Sequence, residues 1–176
     1  MQLPHETMER AGVRLEPLEV RHQEDLRAAC AADPPLWRDL YPFSMLDGHF
    51  QPVWERLMAG GLGTGSQTYA VVIDGRCQGM TSYIDIDLAN RTVEIGGTYY
   101  APALRGGVVN PAAKRLMLGR AFDSGMRRVQ LNVDAINARS RAAVSKLGAT
   151  QEGILRQNRV TWTGRLRDTV VYSVLE

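Results

Sequence analysis

The sequence predicts an α+β fold: a central mixed, mostly antiparallel sheet with helices on both faces. Three observations predict it. Short alternating apolar and polar segments recur along the 176 residues, they are interrupted by stretches of helical periodicity, and one strand runs straight into a glycine-containing loop and a helix start at Val93–Lys114.

In order, Val13 to Leu18 reads as a strand and Arg21 to Ala32 as a helix, closed off by Asp33-Pro34-Pro35. Trp37 to Phe50 mixes aromatics with turn residues, and a second helix runs from about His49 to Ala59. Gly60, Gly61, Gly63 and Gly65 then make a flexible loop. Gln67 to Ile73 and Cys77 to Asp87 are strands joined by Asp74-Gly75, a tight-hairpin signal. Thr92 to Tyr99 continues the antiparallel run, and Gly96-Gly97 inside it fits a bulge or a close backbone approach.

From Pro111 the period becomes helical, with Ala113, Met117, Leu118, Ala121 and Phe122 forming an apolar face and Gly125 suited to the left-handed stop. Arg127 to Val133 is a strand and Asn137 to Leu147 a helix, with Gly148 as its stop. Gln151 to Thr161 and Arg167 to Val174 close the chain as two strands around Thr163-Gly164. No linker or repeat interrupts this order, so the expectation is a single domain over 1–176 with a frayed N-terminus at about 1–10.

A hydrophobic fraction of 44% and a charged fraction of 23% are ordinary for a globular protein, and no apolar run reaches bilayer length. The polar, acidic Met1–Arg10 matches neither a signal nor a transit peptide, so a cytoplasmic location is expected. Cys30 and Cys77 suggest no disulfide framework, and His5, His22 and His49 are not at ligand spacing, so no metal site is expected. A net charge of +2 does not require nucleic acid. Arg156, Arg159, Arg165 and Arg167 gather in the last strands, with Arg139 and Arg141 in the helix before, and a solvated basic face, an anionic ligand or ribosomal RNA accounts for them.

Asn110 and Pro111 stand where a helix cap and first helical residue belong. Such a start turns unpaired N–H groups and the positive dipole end toward the loop, and Arg105 adds a charged donor, an arrangement suited to a cofactor phosphate. Gly61-Leu62-Gly63-Thr64-Gly65 precedes a strand rather than following one, so it fails as a dinucleotide fingerprint. There is no G-x-S-x-G and no histidine beyond His49, which removes a serine hydrolase.

V-E-I-G at Val93–Gly96, R-G-G-V-V-N-P at Arg105–Pro111, N-A-R-S at Asn137–Ser140 and K-L-G-A at Lys146–Ala149 together resemble the GNAT superfamily of acetyl-CoA-dependent N-acetyltransferases. The resemblance spans about Val13 to Val174. Glu152–Arg156 and the closing R-D-T-V-V-Y-S-V-L are similar to the RimJ/RimL-like branch, which acetylates ribosomal-protein N-termini. It implies acetyl-CoA as cofactor and an amine acceptor, a ribosomal or other protein N-terminus, as partner, in a protein that is often a homodimer.

In that family the pyrophosphate loop reads Gln/Arg-x-x-Gly-x-Gly/Ala. Arg105 takes the first place, Val108 and Asn110 the small-residue places, with Gly106, Gly107 and Val109 between them. Val108 departs from the pattern, being β-branched where a small residue is usual. The resemblance further implies that the strands at Thr92 and Arg127 splay apart to pair with pantetheine, placing Tyr99, Tyr100 and Asn137 on the cofactor.

By the same resemblance Glu94 is the general base and Ser140 the partner of the leaving thiolate. Other readings stay open: Glu94 as a strand carboxylate paired with an arginine, and Ser140 as a hydroxyl satisfying a helix start. Trp37, Tyr41, Phe43, Phe50 and Trp162 are candidate acceptor walls or plain core, and Asp85 and Asp87, read as sharing a strand face, could hold a cationic acceptor. Two rivals remain: an acetyltransferase of small amines (amino acids, polyamines, antibiotics), and a coenzyme A- or ribosome-binding module without catalysis.

Overall fold

The computed structural model describes residues 2–176. Strands β1 (Met8–Arg10) and β2 (Val13–Pro17) form a hairpin at one sheet edge; α1 (Gln23–Ala31), α2 (Pro34–Leu40) and α3 (Phe50–Met58) follow. Then come β3 (Gln67–Ile73), β4 (Arg76–Asp87), β5 (Thr92–Tyr100), α4 (Val109–Asp123), β6 (Arg128–Asp134), α5 (Ala138–Lys146), β7 (Thr150–Val160) and β8 (Leu166–Leu175). One eight-stranded sheet has the order β1-β2-β3-β4-β5-β6-β8-β7, and only β5 and β6 run parallel among its pairs. The expected mixed, mostly antiparallel sheet is thus present.

Two expectations are corrected. The stretch read as frayed contains β1; Leu3 and Met8 are buried, and Tyr69 donates its hydroxyl to the Pro4 carbonyl. Two buried apolar side chains and the ladder with β2 are enough to tie this terminus down as an edge strand. The Asp33-Pro34-Pro35 turn ends α1 but also starts α2: the Asp33 carboxylate accepts from Leu36 N, and proline is tolerated in a first helical turn, where N–H groups are unpaired anyway.

Strand alternation divides the core. Val13, Leu15, Tyr69, Val71, Val93, Ile95 and Val129 meet Ala113, Met117 and Ala121 of α4 on one face. Ala70, Val72, Met80 and Tyr99 meet Leu26, Cys30, Trp37 and Trp54 from α1, α2 and α3 on the other. Leu131 and Val133, in step with Val129, pack with Val144 of α5, which places α5 on the α4 side.

Two irregularities in β5 position the site. Its register against β4 shifts between Met80↔Tyr99 and Ser82↔Gly96, so β5 carries an extra residue there, and Gly97 has φ +57°. This is the bulge anticipated from Gly96-Gly97, and glycine meets its positive φ without the usual side-chain cost. Strand β5 pairs with β6 only through Thr92, Val93 and Glu94 against Arg128, Val129 and Gln130, although β5 continues to Tyr100 and β6 to Asp134. Beyond Glu94 the two strands part.

Candidate active site

The loop after β5 makes a short turn at Pro102–Leu104 and enters α4 through Gly106, Gly107 and Val108. The N-cap is Val108, so Asn110 is not the cap expected from sequence but the second helical residue; Pro111 comes third. A proline there still lies in the turn where N–H groups lack carbonyl partners, which is why both arrangements fit the same letters. The first-turn amides of Val109 and Asn110 face outward along the helix axis. A Cβ placed on Gly106 or Gly107 would meet nothing within 4 Å, and Val108 is 67% exposed rather than packed into the loop. The loop is therefore open to a diphosphate, and its main-chain donors suit one.

Arg105 is turned the other way. Its Nε donates to the Tyr100 carbonyl at 2.9 Å, its guanidinium pairs with Asp33, and its Nη2 is buried without a partner. A groove of about 430 Å³ between α2 and the start of α5 brings Arg105 together with Asp33, Asn137 and Arg139. Asn137 caps α5, accepting from Ser140 N at 3.0 Å, and Ser140 sits half-buried in the first turn.

Glu94 lies at the point where β5 and β6 part. Its neighbours Val93 and Ile95 enter the α4 core, so its carboxylate stands on the opposite face with Gly96. A Cβ on Gly96 would lie 2.7 Å from Glu94 Oε1, so the glycine leaves the carboxylate its space. Burial pushes the Glu94 pKa above the ordinary carboxylate value, while a hydrogen bond from Asn132 and the charges of Arg159 and Arg167 oppose that rise. Asn132 Nδ2 donates to Glu94 Oε2 at 2.6 Å.

Sequence reading missed Lys114. It is 6% exposed, on the inner face of α4, and its Nζ donates to Thr98 Oγ1 at 2.7 Å, with Thr81 Oγ1 a further 2.8 Å on. Burial pulls its pKa down to about 7, with Glu94 pulling it back up. The available signal was a lysine one residue after Ala113 on a helix whose apolar residues mark that face as inward.

Tyr99 and Tyr100 both end β5 buried, on opposite faces; Tyr99 donates its hydroxyl to Ala29 O at 2.6 Å and stacks on Trp37. Trp37 and Phe50 are fully buried core residues. Tyr41 reaches the β5 backbone, donating to the Thr98 carbonyl. Trp162 at the β7–β8 tip donates from Nε1 to Trp37 O at 2.8 Å, tying that hairpin to α2. Asp85 and Asp87 do not share a face: the register shifts between Ile84 and Asp87, and Asp85 has φ +50°. Asp85 accepts from Thr64 N, and Asp87 accepts from Asn90 in the turn.

The model of the acetyltransferase (GNAT) domain matches residues 13–150, and the chain belongs to that family. It is 29% identical over 167 residues to a Bacillus subtilis (strain 168) protein named putative ribosomal N-acetyltransferase YdaF, covering 93% of this chain and 85% of the relative. A GCN5-related N-acetyltransferase from Brucella melitensis superposes with a TM-score of 0.87 at 30% identity, over 99% of this chain and 80% of that one. Mycobacterium smegmatis RimJ in complex with CoA-disulfide shares the fold, with a TM-score of 0.80 at 22% identity over 93% and 81% of the chains. The protein is therefore an acetyl-CoA-dependent N-acetyltransferase.

Proposed function

We propose that the protein acetylates the α-amine of a protein N-terminus, with Glu94 as the general base. The observation that carries this is the Glu94 carboxylate, desolvated and held by Asn132 where β5 and β6 separate. A base with a pKa raised by burial is better matched to neutral pH than an ordinary carboxylate. An α-amine, with a reference pKa near 8, is roughly one-tenth neutral at pH 7, so a modest base suffices. A lysine amine, near 10.4, asks far more.

Bound acetyl-CoA supplies an activated thioester. Amides of Gly106 to Asn110 at the start of α4 would hold its diphosphate, and the β5 edge that β6 leaves beyond Glu94 would take the pantetheine near Tyr99 and Tyr100, where Tyr41 and Arg105 already donate to the Thr98 and Tyr100 carbonyls, with Asn137 alongside. The amine nitrogen attacks the acetyl carbonyl carbon directly in a ternary complex, forming the C–N bond as the C–S bond breaks. Glu94 removes the amine proton, directly or through water, and Ser140 delivers a proton to the departing sulfur. The name of the Bacillus subtilis relative points toward ribosomal acceptors.

The test offers purified protein acetyl-CoA and a peptide carrying one free α-amine and one internal lysine. Thiol release with acetyl on the α-amine is expected by tandem mass spectrometry. Acetyl on the lysine, or on polyamines in preference to peptides, refutes the assignment.

A further inference from the structure

Register places a polar row on the sheet face that carries Glu94. Glu94 opposes Gln130, Asp134 opposes Thr169, and Arg167 opposes Arg159. Residues two apart share a face, so Gln130, Asn132, Asp134, Thr169 and Arg167 stand together, opposite Leu131, Val133, Val170 and Tyr172.

Two donors in this row make no hydrogen bond among the described residues. The Arg167 side chain is 8% exposed and its Nε is buried without a hydrogen bond. Its ion pair with Asp134 Oδ2 spans 3.8 Å, and that oxygen already receives Arg165 Nη2 at 2.5 Å. Thr169 Oγ1, one step along the same face, is also buried and unpartnered. Charge is unbalanced as well: Arg165 and Arg167 share the buried carboxylate of Asp134, Arg159 adds a third positive charge near Arg167, and burial already disfavours the charged form of Glu94. A buried guanidinium with an unmade hydrogen bond is costly unless an anion completes it. Arg159 and Arg167 both favour the charged form of Glu94, so the incomplete pair lies within electrostatic reach of the carboxylate assigned to the reacting amine.

We propose that Arg167 and Thr169 form an anion seat for the acceptor, with Arg159 across the ladder reinforcing it. A carboxylate or phosphate oxygen is the acceptor these donors lack, and a planar guanidinium favours such groups. The preferred acceptors are thus amines that carry an anionic group close to the amine, such as N-termini with an acidic side chain in the first or second position. This deepens the N-terminal assignment and rests on Glu94 marking the amine end.

Two measurements test it. In the first, kcat/KM is compared for peptides identical except for Asp, phosphoserine or Asn at position two, and for β-alanine against propylamine. The wild type is expected to favour the anionic member of each pair by at least about tenfold, and the Asp and phosphoserine arms decide between carboxylate and phosphate. In Arg167→Gln that ratio should fall toward one, and in Thr169→Val it should fall partway. An equal rate on charged and neutral members in the wild type, or a ratio untouched by Arg167→Gln, overturns the proposal.

The second reads binding without turnover: tryptophan fluorescence of the full protein titrated with succinate and with inorganic phosphate. Saturable binding by at least one anion, weakened about tenfold in Arg167→Gln and less in Thr169→Val, supports the seat. Absence of binding, or equal binding by a folded Arg167→Gln, overturns it. If anions bind as expected but no amine is acetylated, the seat stands and the N-terminal acetylation reading falls.

Discussion

Asn132 Nδ2 donates to Glu94 Oε2 at 2.6 Å across the opening between β5 and β6. The bond has a fixed direction because of what lies behind it. Arg128 Nη2 donates to Gln130 Oε1 at 3.3 Å, and Gln130 Nε2 donates to Asn132 Oδ1 at 3.2 Å. A guanidinium only donates, so each amide in the row is oriented head to tail, and the last one presents N–H groups to Glu94. Glu152 anchors the far end by pairing with Arg128.

Removing the last donor should therefore raise the Glu94 pKa. Asn132→Ala is expected to move the acid limb of the kcat/KM profile upward by about one pH unit, since a hydrogen bond to a charged group is worth roughly 1.5–3 kcal/mol. Gln130→Leu should shift it in the same direction by less. A lower plateau with an unmoved limb would mean that Asn132 only packs.

Glu94 should cost stability at neutral pH. Its folded pKa is raised, so its contribution is most favourable below the unfolded value of 4.5 and is lost as pH rises through the folded value. Glu94→Gln keeps an acceptor for Asn132 and removes the charge. Its melting temperature should exceed that of the wild type at pH 7.5, with the gap closing near pH 4. A destabilised variant at pH 7.5 contradicts this.

Lys114 gives the opposite sign. Its folded pKa is depressed from 10.5 to about 7 by burial, so its favourable contribution is full above 10.5 and is lost as pH falls through 7. In urea unfolding, Lys114→Met should be more stable than wild type at pH 6.5 by an amount that shrinks by pH 9.5. A gap independent of pH would show that lost packing or the Thr98 hydrogen bond governs the site.

The exposed Val108 at the mouth of α4 should report on the cofactor. Val108→Asp sets a carboxylate beside the amides assigned to the diphosphate, and an about tenfold rise in KM for acetyl-CoA is expected, with kcat less affected. Val108→Asn, uncharged, should change KM less. Equal effects from both would move the diphosphate away from this loop.

What the sequence disclosed follows from which signals are local. Alternation and turn residues placed β3 to β8, and the Gly96-Gly97 pair marked the β5 bulge, because each is written within a few adjacent residues. β1 escaped because three residues give too little alternation to read, and its pairing with β2 exists only in three dimensions. Glu94 was placed by its motif, but the Arg128–Gln130–Asn132 row behind it depends on β6 lying next to β5. The loop sequence marks Arg105 as a donor to the cofactor phosphate, yet its guanidinium meets Asp33, seventy-two positions away in sequence, a contact no periodicity encodes. Lys114 was hidden for a related reason: only its burial against Thr98 distinguishes it from a surface lysine.

The base assignment is tested most directly by the pH dependence of acetylation of one N-terminal peptide by wild type and Glu94→Gln. The rate deficit of the variant should be greatest below about pH 8 and narrow above it, as the acceptor amine loses its own proton. A deficit of the same size at every pH, or none at all, would contradict Glu94 as the residue that takes the proton.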